Sequence, residues 1–288
     1  MLLTVPDDYA LETVGLTQSL IKSYKNCKIL FLFSINRLEP IYKTDRFTIN
    51  NAIHSSLESF YESNGENYLC YEKLKTEFEK AKVNAIMNKY KEIYKNDILF
   101  KNKNAEIIYK KLFNGVLYSG KIDLEFFDKN KIYLMDHKFL RNIETGKMEF
   151  ELAYDFQSQF YDFLRENIYY SFIYNVIRNP ANKETGEPNK YFKKLTKLIN
   201  EKHDYYFYRF TIHYSNEKRK MFVKELENLT NEIKLFLKGI IKPYKNENHC
   251  TNKYGECLFH QVCLSDNLSM CTKRKKFFPE LNKKEEVL

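Results

Sequence analysis

The chain has 288 residues, with 47 lysines and arginines against 38 aspartates and glutamates and an aromatic content of 16%. This length and composition suit a globular protein with a sizeable core and exclude a collagen-like or largely disordered chain. The formal net charge of +9 favours a polyanionic partner, although a general lysine bias explains it equally well, since only Lys273–Lys276 forms a compact basic run.

The N-terminal region carries no sign of a secretory signal or a membrane anchor. Asp7 and Asp8 precede the first apolar run, and the longest apolar stretch, Ile29–Phe33, is too short to cross a bilayer. We therefore expect a cytoplasmic protein with no membrane partner. In that compartment the six cysteines indicate metal ligation or simple burial, because disulfides are rare there.

Apolar residues at helical spacing dominate the first third of the chain, and shorter periods follow. In chain order the predicted elements are a helix over 16–25, an apolar run over 29–35, a helix over 48–63, a charged helical region over 71–97 and strands over 106–127.

Helices and strands alternate in the rest of the chain. The predicted elements are a strand over 132–138, a helix from 151 to about 170, a loop over 179–188, a strand over 205–214, a helix over 218–237 and a cysteine-bearing tail from 246. No internal repeat or low-complexity linker divides the sequence, so we expect a single domain over 1–288 with its core at about 48–215.

Two carboxylates and one amine lie on neighbouring predicted strands. Side chains alternate along a strand, so Asp136 and Lys138 project the same way, roughly 7 Å apart. On the preceding strand, Asp123 is expected to point away from Ile122 and Leu124 and to meet Asp136 across the hairpin. Such carboxylates can hold a divalent metal beside a scissile phosphate. Alone, an Asp-x-Lys motif is more typical of a solvated hairpin face.

Other polar residues occur at positions that suit the same centre. Gln157 and Tyr161 are four residues apart on a predicted helix and share one face, where they can contact substrate phosphate or bases. His54, beside the apolar stripe of its helix, offers an imidazole nitrogen as a metal ligand. Farther on, aromatic and basic residues that include Arg209 are interleaved, as in single-strand binders or as packed rings under surface lysines.

The order of these motifs resembles that of the RecB-like branch of the PD-(D/E)xK nuclease superfamily. The matching pieces are the Ile53-His54 helix, Gly120-x-x-Asp123, Asp136-x-Lys138 and Gln157-x-x-x-Tyr161. The resemblance implies an α/β fold, with a restriction-endonuclease-like core of mixed β-sheet flanked by helices.

The resemblance also implies roles for individual residues. His54, Asp123, Asp136 and the backbone carbonyl of His137 would bind Mg²⁺ or Mn²⁺, and Lys138 would be catalytic. Gln157 and Tyr161 would complete the active site. Glu106, before the first core strand, is similar to a glutamate of the family.

The cysteines have several interpretations from the residues alone. A local zinc site could use the four C-terminal cysteines Cys250, Cys257, Cys263 and Cys271, and simple burial is also compatible with the sequence. The resemblance extends to AddB-like and bacteriophage-type nucleases, in which one N-terminal and three C-terminal cysteines hold a [4Fe–4S] cluster. It implies that Cys27, Cys250, Cys257 and Cys263 hold such a cluster and join the N-terminal helix to residues 246–272.

The function implied is a metal-dependent DNA nuclease, an exonuclease on single-stranded or end-containing DNA, active in repair, recombination or processing. The expected compartment is a bacterial or phage-infected cytosol, and the sequence is compatible with a helicase or recombination partner without identifying one. The alternative is a nucleic-acid-binding module on a nuclease-derived scaffold, with a structural zinc or iron–sulfur site and little catalysis. The sequence leaves open the choice between exonuclease and endonuclease action, the polarity, action on RNA and the oligomeric state.

Overall fold

The computed structural model describes residues 3–41, 48–72, 74–99, 103–128, 131–141, 144–166, 171–182, 184–252 and 255–282. The helices are α1 Gln18–Asn26, α2 Lys28–Ile35, α3 Thr48–Glu62, α4 Glu77–Tyr94, α5 Thr145–Ala153, α6 Phe156–Leu164, α7 Pro188–Glu201, α8 His203–Tyr206, α9 Asn216–Leu237, α10 Glu247–Cys250 and α11 His260–Ser265. The strands are β1 Leu16–Thr17, β2 Leu38–Pro40, β3 Lys103–Phe113, β4 Val116–Asp128, β5 Lys131–Leu140, β6 Ser171–Arg178, β7 Phe207–Ile212, β8 Thr251–Asn252, β9 Gly255–Glu256 and β10 Cys271–Lys273.

The central sheet has the strand order β1-β4-β5-β6-β7, and β3 also pairs with β4. β3 runs antiparallel to β4 along nearly its whole length. The other edge of β4 is shared, because β1 pairs parallel at Tyr118 and Ser119 while β5 pairs antiparallel from Leu124 onward. β6 is parallel to β5, and β7 is antiparallel to β6. The sheet is therefore mixed, and β4 changes neighbour between Ser119 and Leu124.

Two apolar layers cover the sheet. The first layer packs α1, α2, α6 and α9 against strand residues such as Tyr118 and Phe172. The second packs α3, α4 and α7 against residues such as Leu124 and Met135. The α/β fold class, a restriction-endonuclease-like mixed sheet flanked by helices, is confirmed.

Several predicted elements have different bounds in the structure. The helix predicted over 151–170 is divided into α5 and α6, because the Asp155 side chain accepts a hydrogen bond from the Gln157 N–H and starts a new helix. The charged region over 71–97 becomes helical only at Glu77, after Thr76 and Glu79 form a reciprocal cap. Positions 129–130 of the predicted turn and 167–170 of the predicted helix lie outside the described residues.

The predicted strand over 205–214 is shorter, because α8 occupies its beginning and β7 starts at Phe207. The apolar run at 29–35 is helix α2. None of the described helices combines the length and apolar character that crossing a bilayer requires. The single domain over 1–288 stays a prediction.

Candidate active site

Asp123 lies where β4 changes neighbour. Opposite it on β3, Glu106 has a left-handed backbone with a φ of 56°, while regular cross-strand pairs flank it on both sides. Ile122 packs in the first apolar layer, whereas Leu124 packs in the second. The strict alternation predicted around Asp123 is therefore wrong, because the strand is irregular at this point.

Asp136 and Lys138 project from the same face of β5, as the strand period predicts. Lys138 Nζ lies 2.7 Å from Asp136 Oδ2. Gln157 on α6 links the two, since Lys138 Nζ donates to its Oε1 at 2.5 Å and its Nε2 donates to Asp136 Oδ1 at 2.7 Å. The same Nε2 donates to the Tyr161 hydroxyl at 3.2 Å. Gln157 and the buried Tyr161 thus share one face of α6 and meet the Asp-x-Lys motif.

Asp123 and His54 reach the same centre from β4 and α3. Asp123 Oδ2 accepts a hydrogen bond from the His137 backbone N–H at 2.7 Å. The same oxygen lies 3.8 Å from His54 Nδ1. Both side chains also interact electrostatically with Asp136. His54 and Asp123 therefore lie beside each other, within electrostatic range of Asp136, which contacts Gln157 at the N-terminal end of α6.

The electrostatics of this centre follow from burial. Burial and the charge of Asp136 raise the pKa of Asp123 well above its usual value, although the His137 N–H opposes the shift. Burial lowers the pKa of His54. Burial would also lower the pKa of Lys138, but the adjacent Asp136 charge outweighs it and the net shift is upward. Two mutually repelling carboxyl groups thus face a neutral imidazole and a charged amine.

The donor set has the chemistry that Mg²⁺ or Mn²⁺ requires. Both cations prefer carboxylate oxygens, and a cation would relieve the repulsion between Asp123 and Asp136. Asp136 Oδ2 is buried and receives no well-aligned hydrogen bond. Among the described residues, no three or more His, Cys, Asp or Glu side chains are grouped so that they could hold a metal ion by themselves. Backbone, water or substrate oxygens would supply the other ligands.

The side chain of His137 turns to the other face of β5. Its Nδ1 lies 2.8 Å from Asn175 Nδ2, and its ring stacks on Tyr61 with centroids 5.7 Å apart. An amide nitrogen only donates, so Nδ1 accepts. Burial lowers the pKa of His137 well below its usual value, so this imidazole is neutral. The side chain therefore anchors β5, and only the backbone of His137 faces Asp123.

Arg209 of β7 lies at the centre of a buried polar network beneath His137. Its guanidinium donates to the hydroxyls of Tyr61 at 2.9 Å and Tyr90 at 3.0 Å, and to Asn175 Oδ1 at 2.9 Å. It also lies 2.6 Å from Asp97 Oδ2. The sequence analysis placed Arg209 among the interleaved aromatic and basic residues that are typical of proteins binding single-stranded nucleic acid, and it did not predict this network. The available signal was a single arginine within a predicted strand of otherwise apolar and aromatic residues.

Glu106, which resembles a family glutamate, forms an ion pair with Lys121 of β4. Both charges act on His54. Glu106 therefore lies at the rim of the centre.

Four of the six cysteines line one small cavity at the junction of the two chain ends. Cys27 follows α1, and Cys250, Cys257 and Cys263 come from the C-terminal segment. Burial and the neighbouring thiols raise the pKa of Cys263 to about 11. Cys271 lies outside the cavity lining, on β10, where it pairs with Pro40 of β2. The four thiols are neighbours but, as part of the described chain, are not arranged as a finished metal site.

The chain is similar to a family of nucleases and to solved structures. Residues 15–264 match the sequence profile of the PD-(D/E)XK nuclease superfamily. A search of curated proteins found no match. A solved structure from Eubacterium rectale, named as a candidate exonuclease, has a TM-score of 0.51 at 14% identity and covers 86% of this chain and 91% of its own. SSO0001, another solved structure, has a TM-score of 0.35 at 14% identity, with coverage of 76% and 95%. The matched profile spans most of the sequence, including the whole centre around Asp123 and Asp136, and the chain belongs to the PD-(D/E)XK nuclease superfamily.

Proposed function

We propose that the chain is a metal-dependent deoxyribonuclease of the RecB-like branch, acting as an exonuclease on single-stranded or end-containing DNA. Membership of the superfamily makes it a nuclease, a hydrolase of phosphodiester bonds. The observation that carries the proposal is the contact of Gln157 with both Asp136 and Lys138, directly beside Asp123. A solvated hairpin face would not bury these charges and join them to a helix.

The proposed roles follow from position and charge. Asp123, Asp136, His54 and the His137 carbonyl would hold Mg²⁺ or Mn²⁺. When bound, the cation supplies charge neutralisation at the phosphate and lowers the pKa of a water molecule. Lys138, a charged amine in contact with Asp136, offsets the negative charge that develops during hydrolysis.

Gln157 and Tyr161 have a positioning role in this proposal. Gln157 holds Asp136 and Lys138 through its amide oxygen and nitrogen. The Tyr161 hydroxyl accepts from the same nitrogen and restricts the rotation of the amide. The two residues therefore fix the relative orientation of one carboxylate and one amine.

Cleavage of labelled DNA with Mg²⁺ or Mn²⁺ tests the proposal. We expect activity that is lost in Asp136→Asn and in Lys138→Met, with circular dichroism unchanged from the wild type. Lys220→Met, on the exposed side of α9, is the matched control and should cleave normally. Persistent cleavage in both active-site variants would place the reaction elsewhere. Comparison of single-stranded, blunt and circular DNA separates exonuclease from endonuclease action.

We also propose that Cys27, Cys250, Cys257 and Cys263 hold a [4Fe–4S] cluster, with Zn²⁺ as the alternative. Their shared cavity, with thiols from both ends of the chain, supports this assignment. Thiolates are the expected ligands of such a cluster, and its role would be structural. Anaerobically purified protein should be brown and should lose its colour in Cys27→Ser but keep it in Cys271→Ser. Colourless protein with one equivalent of zinc would refute the cluster.

The alternative, a nucleic-acid-binding module with little catalysis, predicts that at least one residue of the centre has been lost. The complete set of His54, Asp123, Asp136 and Lys138 favours the nuclease. Participation in DNA repair, recombination or processing, and a helicase or recombination partner, are parts of the proposal that rest on the RecB-like motif order alone.

A further inference from the structure

A basic cavity lies on the β3–β4 hairpin, outside the centre described above. Its volume is about 360 Å³, within the range of pockets that bind small ligands. Strand residues, an N-terminal turn and the C-terminal segment all contribute to it. The lining residues used below are Lys110 of β3, Ser119 of β4, Lys275, Lys276 and Phe277.

The three lysines give this cavity its charge. Lys110, Lys275 and Lys276 are exposed. No ion pair with a carboxylate joins any of them within the part of the chain that is described. Phe277 and Phe278 form an apolar wall, and Phe277 is held by Tyr9, with ring centroids 5.6 Å apart. The C-terminal lysines are thereby fixed against the sheet by packed rings, although they lie in a segment without regular strand pairing.

The cavity shares a strand face with residues at the rim of the active site. Tyr118 points to the first apolar layer, where its hydroxyl lies 2.7 Å from Thr230 Oγ1 of α9. Its neighbour Ser119 therefore points to the other side, together with Lys110, its cross-strand partner. Lys121 follows on the same face, and its ion pair with Glu106 adjoins His54. Four residue steps along β4 separate Ser119 from Asp123, a distance of about 13 Å.

We propose that this cavity is a backbone-binding site for the polynucleotide strand that enters the active site, with Lys110, Lys275 and Lys276 on its phosphates. This inference rests on the nuclease function proposed above and adds where the substrate strand runs. A polyanion has the charge that complements these three lysines, for which the described part of the chain provides no carboxylate partner. Along β4 the cavity at Ser119 lies about 13 Å from Asp123, a distance that one polynucleotide strand can cover. These contacts read phosphate and carry no sequence information.

Binding of a labelled 20-nucleotide single strand in EDTA, at several salt concentrations, tests the site without turnover. Each phosphate contact in single strands contributes about 0.7 to the slope of log K against log salt. The triple variant Lys110→Ala, Lys275→Ala, Lys276→Ala should therefore lose about 2 units of slope and bind more weakly than the wild type at low salt. The matched control removes three exposed lysines on the side of the sheet that Tyr118 faces, two in α9 and one at its C-cap: Lys220→Ala, Lys224→Ala, Lys238→Ala.

The control should keep the wild-type slope. Equal slopes for wild type and triple variant, equal losses in the triple variant and the control, or no binding by the wild type would each overturn the site. Hydrolysis of bis(p-nitrophenyl) phosphate, too small to span from Asp123 to the cavity, should proceed at the wild-type rate in the triple variant. If the wild type binds DNA with the expected slope but hydrolyses neither DNA nor this ester, the proposed nuclease function fails and the binding site stands.

Discussion

Replacing Arg209 by methionine removes the only guanidinium of the buried network described above, and should lower the free energy of unfolding by about 3 kcal/mol. The magnitude follows from three neutral partners and one charged partner of the guanidinium. Breaking a buried ion pair costs about 3–5 kcal/mol, because the remaining charge has no counterion. The side chains of Arg209 and Asp97 are 20% and 14% exposed, so water screens the remaining carboxylate in part and the low end applies.

Urea unfolding at pH 7 followed by circular dichroism measures this loss. Arg209→Met combined with Asp97→Asn should recover a large part of the stability, since no unpaired charge is then left behind. Lys220→Met on exposed α9 serves as the control and should change stability by less than about 0.5 kcal/mol. A loss below about 1 kcal/mol in Arg209→Met, or no recovery in the double variant, would show that the network does not depend on its cation.

Three further perturbations probe the centre and its supports. The raised pKa of Asp123 means that its protonated form stabilises the metal-free fold below about pH 4 and that this stabilisation is lost as the pH rises through the raised value. In EDTA, the free energy of unfolding should therefore fall less steeply above pH 4 in Asp123→Asn than in the wild type. Mg²⁺ should stabilise the wild type at pH 8 more than this variant. Parallel pH dependences of the two proteins would contradict the raised pKa of Asp123. In Gly120→Ala the new Cβ would lie 2.8 Å from Leu164 Cδ1 and 3.0 Å from Tyr161 Cε1, so urea unfolding should show a loss of about 1–3 kcal/mol. In the control Gly146→Ala the new Cβ would meet no described atom within 4 Å beyond its own stretch of helix, so no loss is expected. Thr76→Ala removes the cap of α4 and should cost about 1 kcal/mol in the same assay, and an unchanged midpoint would mean that the cap is not needed.

The predicted centre depended on short-range rules that the fold obeys. The period of two in a strand places Asp136 and Lys138 together, and the period of the helix places Gln157 and Tyr161 together. Their meeting across α6 and β5 came from the resemblance, because residue spacing does not specify how a helix packs on a sheet. The mixed-sheet class followed from the same resemblance and is confirmed.

The features that sequence reasoning missed depend on tertiary contacts. The alternation around Asp123 fails because β4 passes from β1 to β5 there, a change of neighbour that no local pattern encodes. The break between α5 and α6 was not predicted, because an aspartate within a helical pattern looks like an ordinary surface residue. Only the structure shows that Asp155 caps the start of α6. The partners of Arg209 include Tyr61 and Asp97, which lie far from it in the sequence.

Helices α1 and α2 pack against residues of α9 that are synthesised much later. Tyr24 donates its hydroxyl hydrogen to Glu232 at 2.9 Å, and Phe31 meets Phe236 with ring centroids 5.7 Å apart. These partners leave the ribosome more than 200 residues later. Because the chain is synthesised at about 5–20 residues per second, the apolar surface of α2 stays without these partners for at least about ten seconds. A nascent chain halted before α9 should therefore recruit chaperones through its first helices.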